Sequence, residues 1–339
     1  MIIGDTNVGE RPVILAPMDE VTNPPFRAFC ETYGADWLYS EFVSADALVR
    51  SVRKAERKLT ISGSGRPVTI QIYGRGVEAM VEAARIVEAS GANFIDLNFG
   101  CPVKRVAGKG AGAGLLRDIP LMEEITRQVA RAVNLPVTAK TRLGWDDEHV
   151  IIDEIAERLQ DAGARAIAIH GRTRAQMYKG EADWEPIARV KLNPRVRVPI
   201  IGNGDIDSPA RALEAFERYG VDGVMIGRAA IGRPWIFRQV KVFLQTGEIL
   251  PDPPLAEQVE VIKAQVSRSV EWLDETRGIL HARRHMACMF KGLPNFRETR
   301  VEMLRAPTLE RLWEVFERIK ERGEGIEIKG ERDEGRGNG

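Results

Sequence analysis

The sequence predicts an α/β fold: a (β/α)8 TIM barrel followed by a small C-terminal all-helical domain. Three observations carry this. Eight short apolar runs alternate with amphipathic helical stretches up to about residue 240. No early glycine fingerprint marks a doubly wound dinucleotide fold, the main alternative. Beyond a proline-rich connector, the strand pattern stops and only helical spacing remains.

The expected strands are Val13–Ala16, Trp37–Ser40, Val68–Ile72, Phe94–Asn98, Val137–Thr141, Ala166–His170, Pro199–Gly202 and Gly223–Gly227. Most are brief and rich in β-branched or other apolar residues, as parallel strands covered on both faces are. Helical patterns fall between them at Val77–Ser90, Leu121–Val133, Val150–Ala162 and Pro209–Tyr219. Ser208 is placed to cap the last of these, with Pro209 in its first turn. Helices recurring between eight strands point to a closed barrel rather than an open sheet.

Pro251, Pro253 and Pro254 form a stiff connector. Leu255, Val259, Ile262, Val266, Val270 and Leu273 then keep helical spacing, as do Leu309, Leu312, Val315, Phe316 and Ile319. The expected division is a barrel over 1–245, a helical domain over 250–322, and a glycine-rich, charged tail without regular structure over 323–339.

The 339 residues are 44% hydrophobic, enough for a substantial core. The formal net charge is zero, so any nucleic-acid surface must be local. Three cysteines, Cys30, Cys101 and Cys288, suit a reduced cytoplasmic protein better than a disulfide scaffold. Met1-Ile2-Ile3-Gly4-Asp5 has no basic stretch before an apolar run, so no signal peptide is expected. No apolar run approaches the ~20 residues of a membrane helix.

Barrel chemistry sits at the C-terminal strand ends. In order, those ends carry Ala16-Pro17-Met18, Gln71 and Tyr73, Asn98-Phe99-Gly100-Cys101-Pro102, Lys140 and Arg142, His170-Gly171-Arg172-Thr173-Arg174, Gly202-Asn203-Gly204-Asp205, and Gly227-Arg228. Chance would scatter such residues. The turns after the seventh and eighth strands occupy the usual phosphate position of barrels, where glycines admit backbone N–H groups and Arg228 adds charge. They also read as tight turns needing positive φ.

Lys140 ends a strand of apolar and small residues. It needs either an anionic ligand, such as the pyrimidine end of a reduced flavin, or a neighbouring carboxylate. Gln71 suits the amide-like edge of a flavin or a strand cap, and His170 a ligand or an ordinary satisfied polar site. Cys101, in a glycine–proline turn after a strand, is the sharpest candidate. A thiol near its reference pKa of ~8.5 is mostly protonated at neutral pH and can act as an acid; the alternative is a buried, inert cysteine. Cys30 and Cys288 are expected to be inert and buried. The Gly108–Gly114 stretch reads as either a mobile cover or a flexible connector.

The stretches Ala16-Pro17-Met18, Asp96-Leu97-Asn98-Phe99-Gly100-Cys101-Pro102, Ala139-Lys140-Thr141-Arg142, Ile169-His170-Gly171-Arg172-Thr173 and Asn203-Gly204-Asp205-Ile206 resemble those of tRNA-dihydrouridine synthases, most nearly the bacterial B-type. Gly227-Arg228-Ala229-Ala230 and Gly232-Arg233-Pro234-Trp235 extend the match. The resemblance implies FMN as prosthetic group and NADPH (or NADH) as reductant. It places Ala16, Pro17, Met18, Gln71, Lys140, His170, Asn203, Gly204, Asp205, Gly227 and Arg228 around FMN, with Asn98 and Cys101 facing a D-loop uridine of tRNA. It implies hydride transfer from the flavin to C6 of uracil, with protonation of C5 by Cys101. The target base must leave its stack, at a cost of a few kcal/mol.

Between Arg277 and Arg305 stand seven basic residues (Arg277, Arg283, Arg284, Lys291, Arg297, Arg300 and Arg305) against Glu298 and Glu302, a net charge of +5. The patch suits phosphate contacts, with Arg283 and Arg284 expected to bind substrate, or is an ordinary solvated helix face. Arg172, Arg174 and Lys179, with Lys104, Arg105 and Lys109, would extend it at the barrel mouth, and Arg172 and Arg174 are expected to touch substrate. No metal is expected, and the chain is expected to act as a monomer. Two other readings remain: a flavin barrel reducing a free small molecule, and a non-catalytic tRNA-binding protein. Turnover of free uracil would mark the first, and a colourless preparation the second.

Overall fold

A computed structural model describes residues 1–61, 65–290 and 292–334. It divides into two compact units: 1–230 with 236–249, and 231–235 with 250–339.

The first unit is a TIM barrel. Its strands are β1 (Val13–Leu15), β2 (Trp37–Tyr39), β3 (Val68–Tyr73), β4 (Phe94–Asn98), β5 (Val137–Arg142), β6 (Ile167–His170), β7 (Ile200–Asn203) and β8 (Gly223–Ile226). All neighbouring pairs are parallel, and β8 pairs with β1 to close the ring. Each expected strand is present, with its ends shifted by a residue at most. β5 extends one residue beyond expectation, through Arg142, because Thr141 and Arg142 still pair with Ile169 and His170 of β6.

The four expected crossover helices are present at Val77–Ala89, Ile119–Ala132, Ile152–Asp161 and Pro209–Glu217. Pro209–Glu217 starts where Ser208 accepts a hydrogen bond from the Arg211 N–H, with Pro209 filling a position that has no partner to lose. Asp118 caps Ile119–Ala132 in the same way. An antiparallel pair near the N-terminus, Ile2–Ile3 with Thr6–Asn7, carries no period-2 signal of its own. Ile3 and Val8 pack with Ile14, Trp37, Phe94, Ala166 and Ile201, near the N-terminal ends of the strands, and so cover that end of the barrel.

The second unit is helical: Leu255–Trp272, Glu275–Met289, Arg297–Arg305 and Leu309–Glu334. Val259, Ile262 and Val266 of the first helix are buried, as are Ile279, Ala282 and Met286 of the second and Leu312, Val315, Phe316 and Ile319 of the last. Phe290 stacks edge-on with both Phe296 and Phe316. The last helix continues past Gly323, where the sequence leads one to expect a tail without regular structure; residues 335–339 lie outside those described. Among the described residues, no helix is long and apolar enough to cross a membrane.

Candidate active site

Period-2 alternation along three adjacent strands builds a polar interior. Thr69 and Gln71 on β3, Asp96 and Asn98 on β4, and Thr138, Lys140 and Arg142 on β5 alternate with apolar or small residues. The register sets Gln71 beside Asp96, Asp96 beside Thr138, and Asn98 beside Lys140.

One hydrogen-bonded chain runs towards the Cys101 turn. Thr138 Oγ1 donates to Asp96 Oδ1 at 2.5 Å, and Gln71 Nε2 donates to Asp96 Oδ2 at 2.6 Å. Asn98 Nδ2 donates to Gln71 Oε1 at 2.7 Å. Asn98 Oδ1 then accepts the backbone N–H of Gly100 (3.1 Å) and of Cys101 (2.9 Å). Burial raises the Asp96 carboxyl to about 6, against the opposing pull of Thr138, Gln71 and Lys140.

Lys140 Nζ donates to Asn203 Oδ1 at 3.0 Å, and Asn203 Nδ2 donates to the Met225 carbonyl at 2.8 Å. No carboxylate lies within ion-pair distance of this ammonium among the described residues, so of the two partners expected for it the carboxylate is absent. Desolvation and the neighbouring charge of Arg142 lower its pKa to about 8, partly offset by Asp96 and Cys101.

The thiol of Cys101 is 8% exposed, packed with Val106 and Ala111 and flanked by Phe42, Tyr73 and Val103. Burial pushes it up, with Asp19 acting in the same sense, so it carries its proton at neutral pH. The stretch after it is neither a free cover nor an open connector. A short helix (Lys104–Ala107) and a 3-10 turn (Gly112–Arg117) bury Ala111, Ala113, Leu115 and Leu116. Gly112 has φ +54°, and a Cβ there would lie 3.0 Å from the Cys101 carbonyl oxygen, so only glycine fits this close approach. Arg105 in the short helix pairs with Asp19, which also accepts from Lys58 Nζ at 2.7 Å. Cys30 is buried as expected, but Cys288 is exposed, because it lies on a helix face that its unit does not cover.

On the other side of Lys140, Gly204 has φ +130°, and a Cβ there would meet Ala182 at 2.7 Å and His170 Cδ2 at 3.2 Å. Glycine is therefore required for the imidazole to sit against the β7 turn. Arg172 Nη1 donates to His170 Nε2 at 3.3 Å, which leaves the ring proton on Nδ1. Burial, together with the charges of Arg142, Lys140, Arg172 and Arg228, holds His170 well below its usual range, so it is neutral. Asp205, at φ +53°, accepts from Arg172 Nη1 (3.0 Å) and Nη2 (2.6 Å), Arg228 Nη2 (2.9 Å) and the Ala182 N–H (2.8 Å). Burial would raise its pKa, but these bonds and charges outweigh it and hold the carboxyl below the usual range. Ala16 and Met18 come within 4 Å of where a Gly227 side chain would start, across the β8–β1 closure. Pro17 and Met18 remain partly exposed.

Arg172, expected at the substrate, is 2% exposed. Its guanidinium is spent on Asp205 and on the carbonyls of Lys179 (3.1 Å) and Gly180 (2.6 Å), so it holds the loop and the carboxylate. Arg174 lies over the Trp145 ring, 4.6 Å from its centroid, with Arg117 at 5.0 Å from the same ring. In the helical unit Arg284 is exposed and Arg283 partly buried, while Arg297, Arg300 and Arg305 are exposed. Glu302 pairs with Arg311 and Arg318, and Arg277 pairs with Asp274, all partners outside the counted stretch. Lys291 lies outside the described residues.

Several residues of the site were given no role from the sequence. Arg142, 2% exposed, donates to the carbonyls of Gly100 (2.8 Å), Thr173 (3.0 Å) and Met177 (2.9 Å) and so ties the Cys101 turn to the loop after β6. Tyr178 on that loop has Arg228 at 5.0 Å and Arg142 at 5.6 Å from its ring. Asp96 and Thr138 are the third and fourth omissions. The i, i+2 polar spacing with Asn98 and Lys140 was the available signal for Asp96, Thr138 and Arg142. Among the described residues, no cluster of three or more potential ligands could hold a metal.

The chain matches the sequence profile described as dihydrouridine synthase (Dus) over residues 14–321. Similar proteins include tRNA-dihydrouridine synthase B of Pseudomonas aeruginosa, 43% identical over 293 residues, which covers 86% of this chain and 88% of that one. The protein of the same name from Xanthomonas axonopodis pv. citri is 41% identical over 308 residues, covering 91% and 92%. A solved 2-naphthoyl-CoA reductase complex superposes with a TM-score of 0.55 at 15% identity, over 71% of this chain and 51% of that chain, and at this identity the likeness concerns the fold alone. The polar barrel mouth around Cys101 and Lys140 therefore sits in a chain that belongs to the dihydrouridine synthase family.

Proposed function

We propose that the chain is a tRNA-dihydrouridine synthase with FMN as prosthetic group and NADPH as reductant. The observation that carries this is Lys140: a desolvated ammonium with one neutral oxygen partner and no carboxylate among the described residues. Such a cation fits an electron-rich ligand, and the pyrimidine end of a reduced flavin is one. Lys140, Asn203 and Gln71 would hold the ring system. Gly204, Gly227 and Arg228 would take the phosphate end, with Ala16, Pro17 and Met18 beside them. Asp205 would not repel that phosphate, because Arg172 and Arg228 already neutralise it. Neutral His170 would serve as a hydrogen-bonding wall rather than a charge.

Bound FMN supplies the hydride that goes to C6 of the target uracil. Cys101 supplies the proton to C5: the raised thiol keeps that proton until negative charge develops next to it, then recovers another from water. The two transfers together add one H2 across the C5–C6 bond. Asn98 keeps one N–H beyond its bond to Gln71 to offer a uracil carbonyl. The basic patch around Arg283 and Arg284 would contact tRNA phosphates.

Nucleoside mass spectrometry of tRNA treated with the protein, FMN and NADPH tests the reading. Dihydrouridine at a D-loop position is expected. Reduction of free uracil at a comparable rate, or binding without reduction, would defeat it.

A further inference from the structure

From Cys101 through Asn98 and Gln71 each hydrogen bond donates towards Asp96, and Asp96 sets that direction. We propose that Asp96 is a positioning residue: its carboxylate fixes the amide orientation of Gln71 and, through it, of Asn98 and the Cys101 turn, while its charge sustains the Lys140 ammonium. A carboxylate only accepts, so Gln71 must present Nε2 to it at 2.6 Å. Gln71 Oε1 must then face Asn98, which answers with Nδ2 at 2.7 Å. Asn98 Oδ1 is thereby left for the two backbone donors of Gly100 and Cys101. Reversing either amide would set donor against donor or acceptor against acceptor. With every member oriented, Gln71 and Asn98 each retain one N–H of fixed direction, the donor type that a carbonyl-rich pyrimidine edge accepts.

Hydrogen bonding alone does not call for a charge here. An asparagine at 96 could satisfy Thr138 and Gln71 with either amide orientation and little change of volume, so it would fill these bonds without fixing their direction. The fold instead keeps a fully buried carboxylate that ion-pairs with nothing within 4 Å among the described residues. Buried charge is expensive, so its retention points to use. The groups facing Asp96 are Tyr39 from β2, Gln71 from β3, and Thr138 and Lys140 from β5. Those facing Lys140 are Asp96, Cys101, Arg142, His170 and Asn203; of these, Asp96 is the carboxylate that supports its charge.

The inference rests on the proposed function for its ligand but not for its first test. That test follows Lys140 by NMR, as the pH titration of its 13Cε signal in protein without FMN. The wild-type midpoint should lie near 8, and Asp96→Asn should lower it. An unmoved midpoint overturns the charge role. In the second test, Asp96→Asn loaded with FMN should reduce tRNA with kcat lower by about tenfold or more and KM for tRNA nearly unchanged, because the turn but not the RNA surface is disturbed. A wild-type kcat overturns the positioning role. If the wild type neither binds FMN nor reduces tRNA, the proposed function fails while the NMR result still stands. Should Asp96→Asn not fold, Asp96→Ser removes the same charge with less bulk and is read in the same way.

Discussion

Lys140 Nζ reaches Asn203 Oδ1 at 3.0 Å across the barrel mouth, from β5 to β7, and this neutral contact is its one hydrogen bond among the described residues. A desolvated cation satisfied by an amide oxygen is a poor structural element and a good ligand anchor. With its pKa lowered to about 8, the ammonium is present below that pH and lost as pH rises through it. FMN affinity, read by quenching of flavin fluorescence, should therefore weaken above pH 8. Lys140→Met should weaken it by about tenfold or more at pH 7, the worth of a charged hydrogen bond. Equal affinity at pH 7 and pH 9.5 would remove Lys140 from the flavin site.

Cys101→Ala should leave FMN binding and flavin reduction by NADPH intact, while dihydrouridine formation falls by about 10²–10⁴-fold, the usual reach of a general acid. Stopped-flow absorbance separates the two half-reactions. Equal losses in both would mean that the thiol serves the fold or the flavin rather than the uracil.

Arg172→Ala leaves Asp205 without its bidentate partner and two loop carbonyls without donors. Each loop carbonyl left without its donor costs about 1–3 kcal/mol, while Asp205, 32% exposed, keeps Arg228. Calorimetry should show Tm lower by roughly 10 °C. A Tm within a degree or two of wild type would return Arg172 to the substrate surface.

Asp96 makes an opposite prediction for stability. Its folded pKa, about 6, lies above the ordinary aspartate value of 3.8, so the native state binds a proton that the unfolded chain releases between those values. The contribution of Asp96 to stability should therefore fall as pH rises from 4 to 6 and stay lower above that. Asp96→Asn abolishes this dependence. Denaturant melts should show the variant more stable at pH 7 by up to about 3 kcal/mol, with no difference below pH 4. A variant less stable at pH 7 would make the carboxylate a structural asset after all.

Arg283→Ala combined with Arg284→Ala should weaken tRNA binding and reduce the slope of log affinity against log salt by about 2, one for each lost phosphate contact. Filter binding across a salt series measures both. An unchanged slope would make the patch an ordinary solvated face.

Most of the barrel was legible because each covered parallel strand is a short apolar run bracketed by glycine, proline and polar residues, and because a residue at a strand end has a fixed place in a closed ring. Phe94–Asn98 shows this at its clearest: the run, its length and the Cys101 turn after it all stand where the sequence puts them. Arg142 was less legible. It sits one residue past the expected strand end, yet its partners are carbonyls from two different loops, and backbone acceptors leave no mark in side-chain chemistry. Arg172 was misplaced for a related reason: an arginine in a basic loop reads as a surface cation, whereas its true partner, Asp205, lies 33 residues away.

By itself the sequence determined the architecture, the eight strand ends and the polar residues gathered at them, because periodicity and turn chemistry act over a few neighbouring residues. Only the tertiary structure decided which cations are spent and which remain available. Arg172 and Arg142 are consumed by a carboxylate and by carbonyls, while Lys140 is left with an amide oxygen. Most of those partners lie on different strand ends and the loops after them, and closing the ring is what brings them within hydrogen-bonding distance.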